Sequence, residues 1–179
     1  MVYVFLAEGF EEIEALSVVD FLRRLNIPVA AVSIDGKEQV TGAHQITVKA
    51  DCPLEEISLE KGKAFVLPGG LPGADNLQAS GALKALLLAA DKEKKIIGAI
   101  CAAPKVLGAF GLLQNRRATC YPGFESELTG ALPQTDAVVR DGHIITSRGV
   151  ATAPDFAFAL AEALGTDPQK IKTGMLFQK

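Results

Sequence analysis

Short apolar segments alternate with helix-like segments along this chain. The short segments hold many β-branched residues and have the length of buried strands. They are Val2 to Leu6, Pro28 to Ile34, Lys63 to Leu67 and Ile96 to Ile100. The helix-like segments are Glu11 to Leu25, Leu77 to Ala90, a stretch that begins at Pro104, and a stretch between Thr152 and Gly165. Strands that alternate with helices predict a mostly parallel sheet that is covered on both faces.

Turn residues locate the remaining features. Asp141-Gly142 separates two alternating segments, Ala137 to Arg140 and His143 to Ser147, which predicts a hairpin. Gln39 to Lys49 has the composition of an exposed excursion. Thr152 is expected to be the N-cap of the last predicted helix, and Gly165 marks its end.

These elements predict an α/β fold, a doubly wound three-layer sandwich. The length of 179 residues favours one domain that spans residues 1–179. Ligands of such sheets bind at the carboxyl ends of the strands. That rule selects the loops that follow Leu6, Leu67 and Ile100.

Composition narrows the class of partner. The formal net charge of −3 argues against a nucleic-acid surface and against a polybasic membrane patch. The first residues have no basic, signal-like segment, and no apolar run is long enough to cross a bilayer. We therefore expect a cytoplasmic protein with no membrane partner. Three cysteines at irregular spacing suit a reducing compartment. With two histidines and no metal-binding spacing, we expect no metal and no cofactor.

Cys101 is the first candidate for chemistry. It follows an apolar strand and precedes a predicted helix, with the small Ala102 and Ala103 directly after it. A tight strand-to-helix turn would expose the side chain at the rim of the sheet, as in nucleophile elbows. We expect the start of the helix to lower the pKa of the thiol. The alternative is a buried structural cysteine, because free cysteines are among the most buried residues.

Glu14 is the second candidate. On a helical wheel at about 100° per residue it lies close to Val18, Phe21 and Leu25, within an apolar stripe. Burial there would raise its pKa and let it hold a proton for a neighbouring sulfur or oxygen. The alternative is an acid at the helix end that reaches solvent. Glu11 and Glu12 lie in the first turn, where the helix dipole accounts for them without a function.

Weaker candidates surround these two. Gly69 and Gly70 lie at the end of a predicted strand. Together with the N–H group of Ala102, their N–H groups could stabilise an oxyanion. The alternative is that the two glycines only form an ordinary turn. Arg148 follows a predicted strand and either binds an anion or forms a structural ion pair. His143 and His44 are interpreted as exposed loop or hairpin residues.

Together these residues resemble the ThiJ/PfpI superfamily, in particular its DJ-one branch. The resemblance is carried by Leu-Ala-Glu-Gly-Phe-Glu-Glu-Ile-Glu at 6–14, Val-Leu-Pro-Gly-Gly at 66–70, Ala-Ile-Cys-Ala-Ala-Pro at 99–104 and Thr-Ser-Arg-Gly at 146–149. It implies a flavodoxin-like sandwich and a homodimer. It also implies that Cys101 is a redox-sensitive elbow nucleophile, that Glu14 is its protonated partner, and that the Gly69, Gly70 and Ala102 amides line the same pocket.

One departure from the family pattern affects the function. Many DJ-one relatives have a histidine near the cysteine, and Tyr121 of Thr119-Cys120-Tyr121-Pro122 stands at that position here. This looks like the bacterial, YajL-like members. Protease-like members have a histidine directly after the cysteine, where this chain has Ala102. A cysteine peptidase or amidase would therefore lack its usual general base.

Two functional hypotheses follow from the resemblance. In the first, the protein is a stress-response thiol protein in which peroxide oxidises Cys101 to a sulfinate that Glu14 stabilises. In the second, it is a glutathione-independent glyoxalase or deglycase, whose partner is a small reactive carbonyl such as methylglyoxal or glyoxal. A third hypothesis is a binding module that only retains the pocket. The sequence does not separate the first two.

Overall fold

One seven-stranded sheet forms the centre of the protein in this computed structural model, which describes residues 1–177. In order across the sheet, the strands are Val138–Asp141, Ile144–Ser147, Ile96–Ile100, Ala64–Leu67, Val2–Leu6, Val29–Ser33 and Cys52–Pro53. Every neighbouring pair is parallel except the first. Two further two-stranded sheets join Gln39–Thr41 to Thr47–Lys49 and Arg117–Ala118 to Leu132–Pro133. The predicted α/β sandwich with a mostly parallel sheet is therefore confirmed.

The long strands and most of the helices agree with the segments expected from the apolar pattern, whereas the short strands at 52–53, 117–118 and 132–133 and the helix at 169–174 were not predicted. The strands are β1 (Val2–Leu6), β2 (Val29–Ser33), β3 (Gln39–Thr41), β4 (Thr47–Lys49), β5 (Cys52–Pro53), β6 (Ala64–Leu67), β7 (Ile96–Ile100), β8 (Arg117–Ala118), β9 (Leu132–Pro133), β10 (Val138–Asp141) and β11 (Ile144–Ser147). The helices are α1 (Glu12–Arg24), α2 (Gly73–Ala79), α3 (Gly81–Lys92), α4 (Pro104–Ala109), α5 (Ala153–Ala163) and α6 (Gln169–Gly174).

Apolar residues on the two faces of the sheet form two separate cores. Phe65 and Leu67 point into the core beneath α3 and α4, whereas Val66 points into the core beneath α1 and α5. Because neighbouring residues of a strand face opposite sides, a strand buried on both faces is apolar without interruption. This explains why β1, β6 and most of β7 contain almost no polar residue.

Three details differ from the expectations. The segment from Leu77 to Ala90 is divided into α2 and α3, and the Ser80 hydroxyl caps α3 by accepting from the Leu83 N–H at 3.2 Å. Thr152 precedes α5, but its hydroxyl bonds to the backbone of Gly149 instead of capping the helix. The excursion after β2 contains a regular antiparallel pair, β3 with β4.

His143 is not an exposed hairpin residue. Its side chain is 14% exposed, and its Nε2 lies 2.8 Å from Asp91 Oδ1 at the end of α3. The hairpin of β10 and β11 is thereby attached to a helix on one side of the sheet. Across residues 1–177, no helix combines the length and the apolar character that crossing a membrane requires.

Candidate active site

Cys101 lies in a tight turn between β7 and α4. Its φ is +65°, a left-handed conformation that is uncommon for a residue with a side chain. The Cys101 N–H donates to Ser147 O at 3.0 Å, and the Ala103 N–H donates back to Ile100 O at 3.0 Å. Ala102 and Ala103 are buried, so the turn packs closely against the sheet. The half-buried Cys101 is therefore presented at the carboxyl end of β7, where ligands of such sheets bind.

Glu14 lies in the apolar stripe of α1 and is completely buried. The Gly69 N–H donates to Glu14 Oε2 at 2.8 Å. Oε1 accepts no hydrogen bond of normal geometry within the described residues. The expectation that Glu14 is buried is confirmed, and the alternative in which it reaches solvent is wrong. An unpaired buried oxygen is costly, so it suggests a group that acts on a ligand.

The carboxyl group of Glu14 and Cys101 are neighbours across Gly69. A Cβ at Gly69 would lie 2.7 Å from Glu14 Oε2 and 2.6 Å from the Cβ of Cys101. No side chain fits there, so only glycine allows α1 and the Cys101 turn to approach so closely. The interpretation of Gly69 as an ordinary turn residue is therefore too simple.

The two groups perturb each other's protonation. Burial, opposed by the hydrogen bonds from Gly69 and Cys101, raises the pKa of Glu14 to about 7. Burial, followed by the charge of Glu14 and its hydrogen bond, raises the pKa of the Cys101 thiol to about 12. The expectation that the start of a helix lowers the thiol pKa is wrong. Helix α4 has only six residues, and its effect does not outweigh burial and a carboxylate.

Backbone amides still favour the thiolate. Those of Ala102 and Gly70 interact with the sulfur and lower its pKa, although by less than the other groups raise it. The Gly69 N–H is instead engaged by Glu14. Of the three amides expected to form an oxyanion site, two therefore face the sulfur and one holds the acid.

Tyr121 and Gly149 border the site. The Tyr121 N–H donates to Cys101 O at 2.9 Å, and the Tyr121 side chain is 49% exposed. A Cβ at Gly149 would lie 3.3 Å from Tyr121 Cδ2 and 3.9 Å from Glu14 Oε1. Gly149 thus separates the ring from the unpaired oxygen. It was part of the Thr-Ser-Arg-Gly motif, but nothing in the sequence predicted this contact.

Arg148 does not form the structural ion pair that was one of its two expected roles, and its role as an anion-binding residue stays a prediction. Its Nη1 donates to Thr135 O at 2.8 Å. Burial, followed by the charge of Glu125, raises the pKa of the nearby Cys120 thiol to about 11, and the charge of Arg148 opposes that rise only in part. Within residues 1–177 it forms no ion pair. Its position directly after β11 was predicted correctly.

Both histidines are engaged away from Cys101. His143 bonds to Asp91, as described above, and His44 Nδ1 lies 2.7 Å from Glu12 Oε2. Glu12 also accepts from the His44 N–H at 2.7 Å, so it connects α1 to the loop between β3 and β4. Oxygen and nitrogen atoms of Glu11, Glu12 and His44 lie within 4.8 Å of one another, and a metal ion can bind to such a set of atoms. The hydrogen bonds between Glu12 and His44 explain this cluster without an ion.

The fold and the site define an α/β protein with a cysteine at a strand-to-helix turn beside a buried carboxyl group. The chain belongs to the DJ-1/PfpI family, which it matches over residues 1–163. It is 36% identical over 177 residues to Protein dj-1beta of Drosophila melanogaster, covering 97% of this chain and 95% of that protein. It is 33% identical over 152 residues to Deglycase PYRAB04690 of Pyrococcus abyssi, covering 82% of this chain and 89% of that protein.

The structural similarity is equally extensive. The oxidized DJ-1 of Toxoplasma gondii superposes with a TM-score of 0.95 at 35% identity, covering 99% of this chain and 98% of that one. This confirms the flavodoxin-like sandwich expected from the resemblance. The chain spans less than half the length of two plant relatives that it also matches.

Proposed function

We propose that this protein is a cysteine-based stress-response protein in which Cys101 is oxidised to a sulfinate and Glu14 is the acid that hydrogen-bonds it. One observation carries the proposal: a fully buried carboxyl group with a pKa of about 7 lies beside the thiol and has one oxygen without a partner. A neutral carboxyl group can donate through that oxygen to an oxygen on the sulfur.

The oxidation needs two equivalents of peroxide. The first converts the thiol to a sulfenic acid and releases water, and the second converts the sulfenic acid to a sulfinic acid and releases a second water. Glu14 in its carboxylate form takes the thiol proton, which generates the attacking thiolate and the neutral acid together. The Ala102 and Gly70 amides, which already favour the thiolate, would also favour the anionic sulfinate. In this proposal the turn at Cys101 acts as the nucleophile elbow.

The test is the order in which the three cysteines oxidise. Dilute hydrogen peroxide is added to the intact protein, and peptide mass spectrometry follows the addition of two oxygen atoms at Cys101, Cys52 and Cys120. We expect Cys101 to gain them first, and Glu14→Leu to decrease the yield of sulfinate at Cys101. Oxidation of Cys52 or Cys120 while Cys101 remains a thiol would contradict the proposal.

A second candidate function uses the same pair of groups on a dicarbonyl. The thiol of Cys101 would add to the aldehyde carbon of methylglyoxal to give a hemithioacetal. Glu14 would then move a proton from that carbon to its neighbour, and hydrolysis of the resulting thioester would release lactate. A carboxyl group with a pKa of about 7 suits this transfer in both directions near neutral pH. The archaeal relative named as a deglycase supports this candidate.

Lactate formation from methylglyoxal distinguishes this candidate. Purified protein should produce lactate without glutathione, and Cys101→Ala should not. With no histidine beside Cys101 and a tyrosine in its expected place, we expect slow turnover, because a phenol with a pKa near 10 is a poor base at neutral pH. Equal lactate formation by both proteins would exclude the candidate.

The proposal also covers the oligomeric state, the number of domains and the cellular compartment of the protein. We propose a homodimer, because Ile13, Leu16 and Ile46 form an exposed apolar patch along α1 and the adjoining loop. The single large sheet supports one domain over residues 1–179, of which the last two lie outside the described residues. Three free cysteines support a reducing compartment such as the cytoplasm.

A further inference from the structure

Two aromatic rings lie in contact at one border of the site, the exposed Tyr121 and the half-buried Phe124. Tyr121 lies beside Gly149 and Glu14, and its ring meets Phe124 edge to face at 6.4 Å between centroids. Half of the Tyr121 side chain is exposed to solvent, so little else restricts the position of the ring. Phe124 is the aromatic neighbour that contacts this exposed ring, and the backbone of Tyr121 is hydrogen-bonded to that of Cys101.

A buried lysine also contacts the Phe124 ring. Lys105, on α4, is 8% exposed, and its Nζ lies 5.6 Å from the centre of the Phe124 ring. The same Nζ lies 2.5 Å from Asp75 Oδ1 and 3.7 Å from Glu127 Oε2. Because a lysine is rarely buried, this ammonium group requires partners, and the face of an aromatic ring is one of them.

The rest of the segment that carries Phe124 is attached to α4 without this lysine. A Cβ at Gly108 would lie 2.6 Å from Glu127 O, so the two backbones are in direct contact there. Leu128 is buried in the core beneath α4. Removal of the charge at position 105 should therefore leave the segment in place and release chiefly the ring.

We propose that Lys105 is a positioning residue that holds Phe124, and through it Tyr121, over the Cys101 pocket, so that small reagents reach the sulfur and bulky ones are excluded. The proposal deepens the proposed function, since it states which molecules reach the reactive thiol. It does not require a particular reaction at that thiol.

The chain contains a matched control. Lys84, on α3, lies 5.5 Å from the centre of the Phe110 ring, which is the same type of contact. Lys84 is exposed and belongs to no part of the site. The test compares Lys105→Met, which keeps the length of the side chain and removes its charge, with Lys84→Met and with the conservative Lys105→Arg.

The first measurement reports the ring directly. The chain has only two tyrosines, Tyr3 and Tyr121, so protein labelled with fluorotyrosine gives two fluorine resonances. In Lys105→Met we expect the Tyr121 resonance to sharpen and shift, while the buried Tyr3 is unchanged. Lys84→Met should leave both resonances as they are, and Lys105→Arg should restore the wild-type signal.

The second measurement reports access to the sulfur. Alkylation of Cys101 by iodoacetamide and by the bulkier N-phenylmaleimide is followed by peptide mass spectrometry. We expect Lys105→Met to increase the rate with N-phenylmaleimide relative to the rate with iodoacetamide by about threefold or more. An effect of this size is in the range that loss of one cation–π contact permits. Lys84→Met should leave the ratio unchanged.

Two outcomes would overturn the proposal. In the first, Lys105→Met changes neither the Tyr121 resonance nor the ratio of the two alkylation rates at Cys101. The other is an equal disturbance of Tyr3 and Tyr121, which would show that Lys105 only supports the fold. Neither depends on sulfinate or lactate formation, so failure of the proposed function would be seen separately.

Discussion

Glu14 Oε2 and the Cβ of Cys101 lie on two sides of Gly69, each within 2.7 Å of the place where a side chain of that residue would begin. The acid comes from the first helix, and the cysteine comes from the end of a strand more than eighty residues later. Their proximity makes the pair one titrating unit, because the charge of Glu14 raises the pKa of the thiol and the hydrogen bond from Cys101 lowers the pKa of the carboxyl group.

The reactivity of Cys101 should rise with pH through about 7 and then level off. With Glu14 at a pKa of about 7 and the thiol near 12, the pair loses its first proton near neutral pH. The remaining proton is shared between the two groups, so a constant fraction of these molecules carries the thiolate. Rates of alkylation by iodoacetamide between pH 5 and pH 10, assigned to Cys101 by mass spectrometry, measure this profile.

Glu14→Gln is the matched control for that profile. Without the carboxylate, the pKa of the thiol should fall below about 12, because the charge and the hydrogen bond of Glu14 both raise it. The rate should then follow a single titration with no inflection near pH 7. If the variant kept the inflection, another group would be responsible and the pairing would be wrong.

Glu14→Gln should also stabilise the protein at alkaline pH. The pKa of Glu14 is raised in the fold from 4.5 to about 7, so the folded state holds this proton more tightly than the unfolded state. The contribution of this proton to the free energy of unfolding is therefore fully present below pH 4.5 and is lost as the pH rises towards 7. The shift corresponds to about 3 kcal/mol, and urea unfolding should show the variant more stable by up to that amount at pH 8 and by little at pH 4. Glu55→Gln, at an exposed position, is the control substitution.

Gly69→Ala should disrupt the pair without removing either group. The added methyl would lie 2.6 Å from the Cβ of Cys101 and 2.9 Å from Ile100 O, so the loop must move away. We expect a decrease of about 1–3 kcal/mol in the free energy of unfolding and loss of the inflection near pH 7. Gly81→Ala, where no atom lies within 4 Å, should instead stabilise α3 by about 0.5–1 kcal/mol. Urea unfolding of both variants tests this, and equal effects would contradict it.

Much of the fold could be predicted from the apolar pattern, and the chemistry only in part. Strand β7 has the predicted bounds, because a fully buried strand is apolar from end to end. The break at Ser80 escaped prediction, since Leu77 to Ala90 keeps helical spacing across it. The hydroxyl that caps α3 is recognised only once the turn is known.

For the site, the apolar pattern predicted which residues are buried but not which distant segments are in contact. The position of Glu14 in the apolar stripe predicted its burial, and the raised pKa followed from burial alone. The thiol pKa is raised, against expectation, first by burial and then by the contact with Glu14 from a distant segment, and periodicity does not show that contact. Lys105 and His143 were missed for the same reason, since their partners Asp75 and Asp91 are on other elements.

Substitution of the apolar patch on α1 should convert the proposed dimer to a monomer. Ile13 and Ile46 are each 54% exposed and Leu16 is 37% exposed, and a symmetric pair of these patches would bury all six side chains. Leu16→Glu places two carboxylates in that contact, so the mass measured by sedimentation should fall by half while the far-UV spectrum is unchanged. Leu88→Glu is the control, since Leu88 is 36% exposed on α3, away from the patch. A Leu16→Glu protein with the same mass as the wild type would place the interface elsewhere.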